Sequence, residues 1–116
     1  MDSILTSIKK MLGISAEYTQ FDADIRIHIN SVFAVLAQLG IGPAEGYSIQ
    51  GESETWDSFL KEATNLELVK TYVYLKVRML FDPPVTAALI DSANRVISEF
   101  EWRLLMCGKE NSVDEG

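Results

Sequence analysis

The sequence has few of the residues that catalysis and metal binding most often use. Its 116 residues include one cysteine, Cys107, and one histidine, His28. A single cysteine excludes an internal disulfide, so the chain is expected to fold under reducing conditions. A metal site needs several ligands, and only Asp24 lies at helical spacing from His28. A catalytic thiolate needs a neighbouring base, and the histidine lies on a different predicted helix. We therefore predict no metal and no cofactor.

The motifs that mark nucleotide sites and hydrolase sites are also missing. The sequence contains neither a phosphate-binding glycine loop nor a nucleophile-elbow pattern. Carboxylates such as Glu99 and Glu101 lie two residues apart, so on a helix they point in different directions and do not form an acid–base pair. We therefore predict that the protein is not an enzyme.

Basic residues are outnumbered by 17 acidic to 10, which gives a formal net charge of −7. A surface of this sign repels phosphate and disfavours binding to nucleic acid. A helix-turn-helix regulator needs a recognition helix rich in basic and amide side chains, whereas the last predicted helix offers only Asn94, Arg95 and Arg103. The charge does permit two other roles: an acidic lining past which DNA slides, or an acidic inhibitor or DNA mimic that binds a basic partner.

Long hydrophobic runs are absent, although 47% of the residues are hydrophobic. No stretch approaches the length of a membrane span, and residues 1–12 are amphipathic without the apolar core of a signal peptide. The composition is that of a globular chain, so we predict no membrane association and a chain that is made and used in solution. We predict one domain over residues 1–108, followed by a flexible polar tail over 109–116.

Hydrophobic residues recur at helical spacing in four segments, which predicts an all-α fold, a small bundle of four main helices. Each segment is followed by a glycine or a proline. The predicted helices cover residues 3–12, 22–39, 65–81 and 86–106.

A long connection over residues 41–63 separates the second and third predicted helices. A structureless connection of this length is unusual in a compact domain and often functional. Ser53 or Thr55 could cap a short helix, and residues 47–50 could form a short extended piece. Thr64 followed by Glu67 predicts a capping box at the start of the third main helix.

The second and third main helices carry apolar residues on two faces, more than packing against one core requires. Either the other helices bury both faces, or another protein chain covers one of them, and the excess favours self-association. Trp102 is either an interface anchor or a core residue, and Arg103 either pairs across subunits or is solvated. The candidate interface residues are Ile27, Val35, Leu68, Tyr72, Leu75, Met79, Trp102 and Arg103.

Several segments of the chain resemble the head–tail connector (adaptor) proteins of tailed phages and prophages. The longest is LELVKTYVYLKVRMLFDPP at residues 66–84, and the resemblance extends over about residues 1–106. Three shorter segments agree with it: EFEWRL at 99–104, ILTSIKKMLG at 4–13 and FDADI at 21–25. These segments are structural rather than catalytic.

The resemblance implies a helical subunit of the virion, synthesised in the host cytoplasm and located at the head–tail junction. Copies would form a homo-oligomeric ring under the portal protein and above a tail-side connector or stopper protein. DNA would pass through the ring without sequence-specific binding. Within this picture we expect the corner at Asp82, Pro83 and Pro84 to set the angle between two helices. The acidic loop residues Glu45, Glu52, Glu54 and Asp57 are expected to face the channel or a neighbouring subunit.

Overall fold

A computed structural model describes residues 3–43, 45–60 and 65–115, with side chains as far as residue 107. Five helices make up the described fold, and the predicted all-α bundle is confirmed. An isolated bridge between Ser3 and Thr55 is the only β pairing in the described ranges. The helices are α1 (Ile4–Met11), α2 (Asp22–Gln38), α3 (Trp56–Phe59), α4 (Leu66–Phe81) and α5 (Ala87–Glu115).

The helix boundaries differ from the prediction mainly at α5, which continues through Gly108 to Glu115 instead of ending near Met106. An interior glycine costs a helix only about 1 kcal/mol relative to alanine, so it does not by itself end one. The flexibility of residues 109–116 stays a prediction.

A capping box lies at the start of α3, where Thr55 is one of the two residues predicted to cap a short helix. Thr64 of the predicted box is outside the described residues, and Asn65 at the N-cap of α4 makes no capping hydrogen bond with its side chain. In α3, the side chain of Thr55 accepts from the amide of Ser58, and the hydroxyl of Ser58 accepts from the amide of Thr55. This reciprocal pair stabilises a helix that is only four residues long.

The core lies where α2 packs against α4 and α1 packs against both. Ile8, Ile29, Leu36, Val73 and Val77 are among its side chains with no exposed surface. A buried ion pair also joins α1 to the start of α2. The ammonium of Lys9 lies 2.7 Å from Asp22 Oδ1 and donates to the carbonyl of Ala16 at 3.1 Å. Removing the carboxylate of Asp22, which is partly exposed, would leave the ammonium of Lys9 buried without its charged partner.

Residues 41–60 are packed against α2 by an aromatic cluster. Phe33 of α2 stacks on Phe59 at a centroid distance of 4.4 Å, and the edges of Tyr47 and Trp56 meet the ring of Phe33. Gly42 approaches this cluster so closely that a Cβ at this position would lie 2.5 Å from Phe59 Cε1. The described part of the long connection therefore contributes Ile41, Ile49, Trp56 and Phe59 to the core.

Polar contacts fix the register of the same segment. The side chain of Asn30 donates to the carbonyl of Ile49 at 3.0 Å and accepts from its amide at 2.7 Å, which reproduces the pairing of a neighbouring strand. The indole of Trp56 donates to Ser7 Oγ at 2.7 Å, and the amide of Ile4 donates to the carbonyl of Glu54. Residues 47–50 do not form a strand, because a side chain supplies their pairing.

We predict that Gly42→Ala destabilises the protein more than Gly46→Ala does. Both glycines have a positive φ, 88° and 92°, so both variants incur a backbone cost of about 1 kcal/mol. Only at position 42 does the new methyl group also collide with Phe59, which adds about 1–3 kcal/mol of overpacking. Urea denaturation of the two variants measures the difference, and equal midpoints would show that the Phe59 ring moves aside without cost.

Candidate functional site: protein-binding surfaces

The single histidine and the single cysteine of the sequence lie on different helices, α2 and α5. His28 is half-buried with its ring 6.4 Å from that of Phe81, and Cys107 is half-buried against the core. In the part of the chain that the structure describes, no three histidine, cysteine or carboxylate side chains are close enough to hold a metal ion. None of the described helices has both the length and the hydropathy that crossing a bilayer requires. The remaining candidates for a functional site are the exposed surfaces.

The candidate interface residues differ in exposure. Ile27 on α2 is 54% exposed and Trp102 on α5 is 63% exposed, so both present apolar surface to solvent. Arg103 is also exposed and pairs with Glu99 at 3.2 Å, on its own helix. The half-buried members of the set are Val35, Leu68, Leu75 and Met79.

Tyr72, the remaining member, is fully buried. Its hydroxyl donates to Glu101 Oε2 on α5 at 2.8 Å, and Lys76 Nζ lies 3.7 Å from the same oxygen. On the α4 face that contains Tyr72, α5 therefore packs against this residue. Tyr72 does not belong to an exposed surface. We call the contact between Tyr72, Lys76 and Glu101 the α4–α5 latch.

The environment of the latch changes the acidity of the tyrosine. Burial raises the pKa of Tyr72 well above its ordinary value of 10.0, and the hydrogen bond to Glu101 and the charge of that carboxylate raise it further. A folded-state pKa above the unfolded value means that the folded chain keeps the phenol neutral after the unfolded chain has ionised. The resulting stabilisation is present below pH 10 and is lost as the pH rises towards the folded-state pKa.

An aromatic patch, which the sequence analysis did not find, lies where the loop before α2 meets the end of α4. Phe21 contacts Phe81 edge-on at 5.3 Å and Tyr18 at 5.7 Å. Tyr18 is 46% exposed and Phe21 is 36% exposed. Tyr18 lies outside the helices, where periodicity gives no signal, so only the fold brings these rings together.

The acidic loop residues have two different roles. Glu45, Glu52 and Asp57 are exposed, as a channel-facing or neighbour-facing surface requires. Glu54 is half-buried, and its carboxylate accepts from the amides of Gln50 at 2.7 Å and Gly51 at 3.4 Å. Burial acts to raise the pKa of Glu54, but these amides outweigh it and hold the pKa below its ordinary value. Glu54 therefore holds the loop together.

The corner residues Asp82, Pro83 and Pro84 lie between α4 and α5, where the sequence analysis placed them. The amide of Asp82 donates to the carbonyl of Arg78 and ends α4. The hydroxyl of Thr86 accepts from the amide of Leu89 at 3.3 Å and caps α5. Each helix thus has its own terminus, with two prolines between them that cannot donate an amide.

We predict that Tyr72→Phe lowers the free energy of unfolding at neutral pH by about 1.5 kcal/mol, because it removes a hydrogen bond to a carboxylate. Tyr74→Phe is the matched control, since the Tyr74 hydroxyl only accepts an exposed contact from Arg78 at 3.3 Å. Denaturant titrations should show that the gap between wild type and Tyr72→Phe narrows as the pH rises beyond 10, because the phenol contributes the stabilisation that is lost there. Equal free energies of unfolding for wild type and Tyr72→Phe would show that the latch does not stabilise the fold.

Comparison with known proteins identifies the family. The sequence profile described as phage connector protein matches residues 4–111, which is nearly the whole chain. Neither the curated proteins nor the solved structures gave a match. Phage connector proteins are structural, non-enzymatic components of the virion that associate with other head and tail proteins. The chain belongs to the phage connector protein family.

Proposed function

We propose that this connector protein assembles as a homo-oligomeric ring under the portal protein, where it forms part of the DNA passage between head and tail. A tail-side connector or stopper protein would bind the opposite side of the ring. The family match over residues 4–111 is the observation on which this proposal rests. Exposed apolar residues support the ring, and exposed carboxylates support the passage.

Exposed apolar residues support contact between copies. Ile27 and Trp102 lie on two different helices, α2 and α5, and more than half of each side chain is exposed. When two different surfaces of identical subunits bind each other, the contact is head-to-tail, and it closes into a ring if the rotation allows. A large apolar side chain covered in this way contributes about 1.5–3 kcal/mol per subunit.

The charge of the chain supports a passage rather than a DNA-binding site. The net charge is −7, and the exposed residues Glu45, Glu52 and Asp57 lie in the connection before α3 and in α3 itself, which the aromatic cluster holds in place. Carboxylates on a channel wall repel the phosphates, so DNA would slide through without adhering. We therefore propose that these three residues face the channel or the neighbouring subunit next to it.

Assembly is tested by electron microscopy of the protein mixed with the portal protein of the same phage. We predict rings bound to the portal for the wild-type chain. The double variant Ile27→Glu/Trp102→Glu should keep its fold, since both positions are exposed, but should form no ring because a charge at an apolar contact is costly to desolvate.

Ser92→Glu is the control for assembly, because it adds a charge at an exposed polar position of α5. Rings from the double variant would show that these two side chains lie outside the subunit contact. If the wild-type protein neither forms rings nor binds the portal, the proposed function is wrong.

The passage is tested by reversing charges. We predict that rings of Glu52→Lys/Asp57→Lys retain DNA in a low-salt gel-shift assay, whereas wild-type rings do not, because lysines at a channel wall bind phosphates. Glu67→Lys/Asp91→Lys makes the same change in net charge at exposed positions outside the loop. Equal DNA retention by the two double variants would mean that residues 52 and 57 do not line the passage.

A further inference from the structure

The last helix is attached to the rest of the chain by a narrow contact. α5 packs chiefly on α4, and Ile97 and Leu104 are the buried residues among its described side chains. Phe100 and Cys107 lie on the same face and are half-buried. A helix with so few buried side chains lies at the low end of local stability in a protein.

The contact is specific despite its small size. The α4–α5 latch places Glu101 Oε2 2.8 Å from the hydroxyl of Tyr72 and 3.7 Å from Lys76 Nζ. The buried phenol donates to this carboxylate, and without it would lose its hydrogen-bond acceptor. The face of α4 around Tyr72 therefore needs an α5 helix against it, whichever chain supplies that helix.

The corner between α4 and α5 does not hold the two helices together. Backbone hydrogen bonds at residues 82–86 belong to the ends of the helices: Asp82 donates to Arg78, and Thr86 accepts from Ile90. Val85 is 94% exposed. Changing the direction of α5 would alter the dihedral angles of the corner and leave every one of these hydrogen bonds in place.

The first turns of α5 leave part of its apolar face uncovered. Leu89 is 56% exposed and Val96 is 43% exposed. Both lie beside the stripe that continues into Ile97, Phe100 and Leu104, because the intervals of seven and eight residues return to one side of a helix. The closed chain thus leaves Leu89 and Val96, at the edge of this face, partly uncovered.

We propose that neighbouring copies in the ring exchange α5, so that α5 of one copy packs on α4 of the next and closes its latch. This inference rests on the proposed ring, because it names the contact that joins the subunits. The occupant of the α4 face is a second copy of this chain, since α5 already fits that face at Tyr72, Lys76 and Glu101. Exchange of an identical element restores the same contacts between chains at low cost.

Exchange is expected in the ring and not in the isolated chain. In a dilute monomer, the tether keeps α5 at a high effective concentration next to its own α4. In a ring, a neighbouring α4 is held nearby as well, so the preference for the intrachain contact falls. The structure described here is then the closed form of the free subunit.

Zero-length crosslinking of native residues tests the exchange. Unlabelled and uniformly 15N-labelled chains are mixed in equal amounts, assembled on the portal protein and treated with a carbodiimide, which joins Lys76 to Glu101 as an amide. Mass spectrometry then reports whether the two halves of each Lys76–Glu101 crosslink carry the same label. Complete exchange gives mixed labels in about half of these crosslinks, while the unassembled mixture gives none.

The Lys70–Glu67 pair, 3.9 Å apart on α4, is the internal control, because its crosslink joins residues of one helix and must always carry a single label. Rings whose Lys76–Glu101 crosslinks all carry a single label would overturn the exchange and leave the proposed ring intact. If no ring forms, the exchange and the proposed function are both wrong.

Discussion

The fold depends on α2, which is packed from more than one side at once. α1 and α4 pack directly on this helix, and Asn30 and Phe33 bind the connection between α2 and α4. α5 reaches this core through α4. Such an arrangement needs a helix whose apolar residues are not confined to one stripe, which is the pattern that α2 has.

The sequence predicted most of the helices because their apolar residues repeat at short range. It allowed Ser53 or Thr55 to cap a short helix, and Thr55 does cap α3. It did not predict how residues 45–60 pack on the rest of the chain, because the contacts that fix this segment are distant in sequence. Asn30 and Ile49 are 19 residues apart, and Ser7 and Trp56 are 49 apart. A local sequence pattern does not predict which backbone groups an amide side chain such as that of Asn30 will pair with.

Hydrophobic periodicity likewise predicted that α4 has two apolar faces, but it did not predict which elements pack on them. The helical spacing of Leu68, Tyr72, Leu75 and Met79 shows that they share a face, and the interpretation favoured another subunit as its cover. The structure places α5 against this face at Tyr72. Much of the exposed apolar surface lies elsewhere, on Ile27, Trp102 and the aromatic patch. Ile27 and Trp102 were among the predicted interface residues and are exposed, whereas the aromatic patch was not predicted.

The two halves of the chain suit different demands of an assembly. Residues 3–60 are joined by the buried Lys9–Asp22 pair, the aromatic cluster and the side chain of Asn30, so the acidic loop residues keep a defined position. The proposed passage needs this rigidity, since a mobile loop would place its charges beside the DNA only on average. α5 is held by two buried side chains and one latch, beyond a corner that makes no contact between the helices. In the proposed exchange, weak attachment of α5 favours assembly, because the free energy spent on releasing α5 is subtracted from the free energy of assembly.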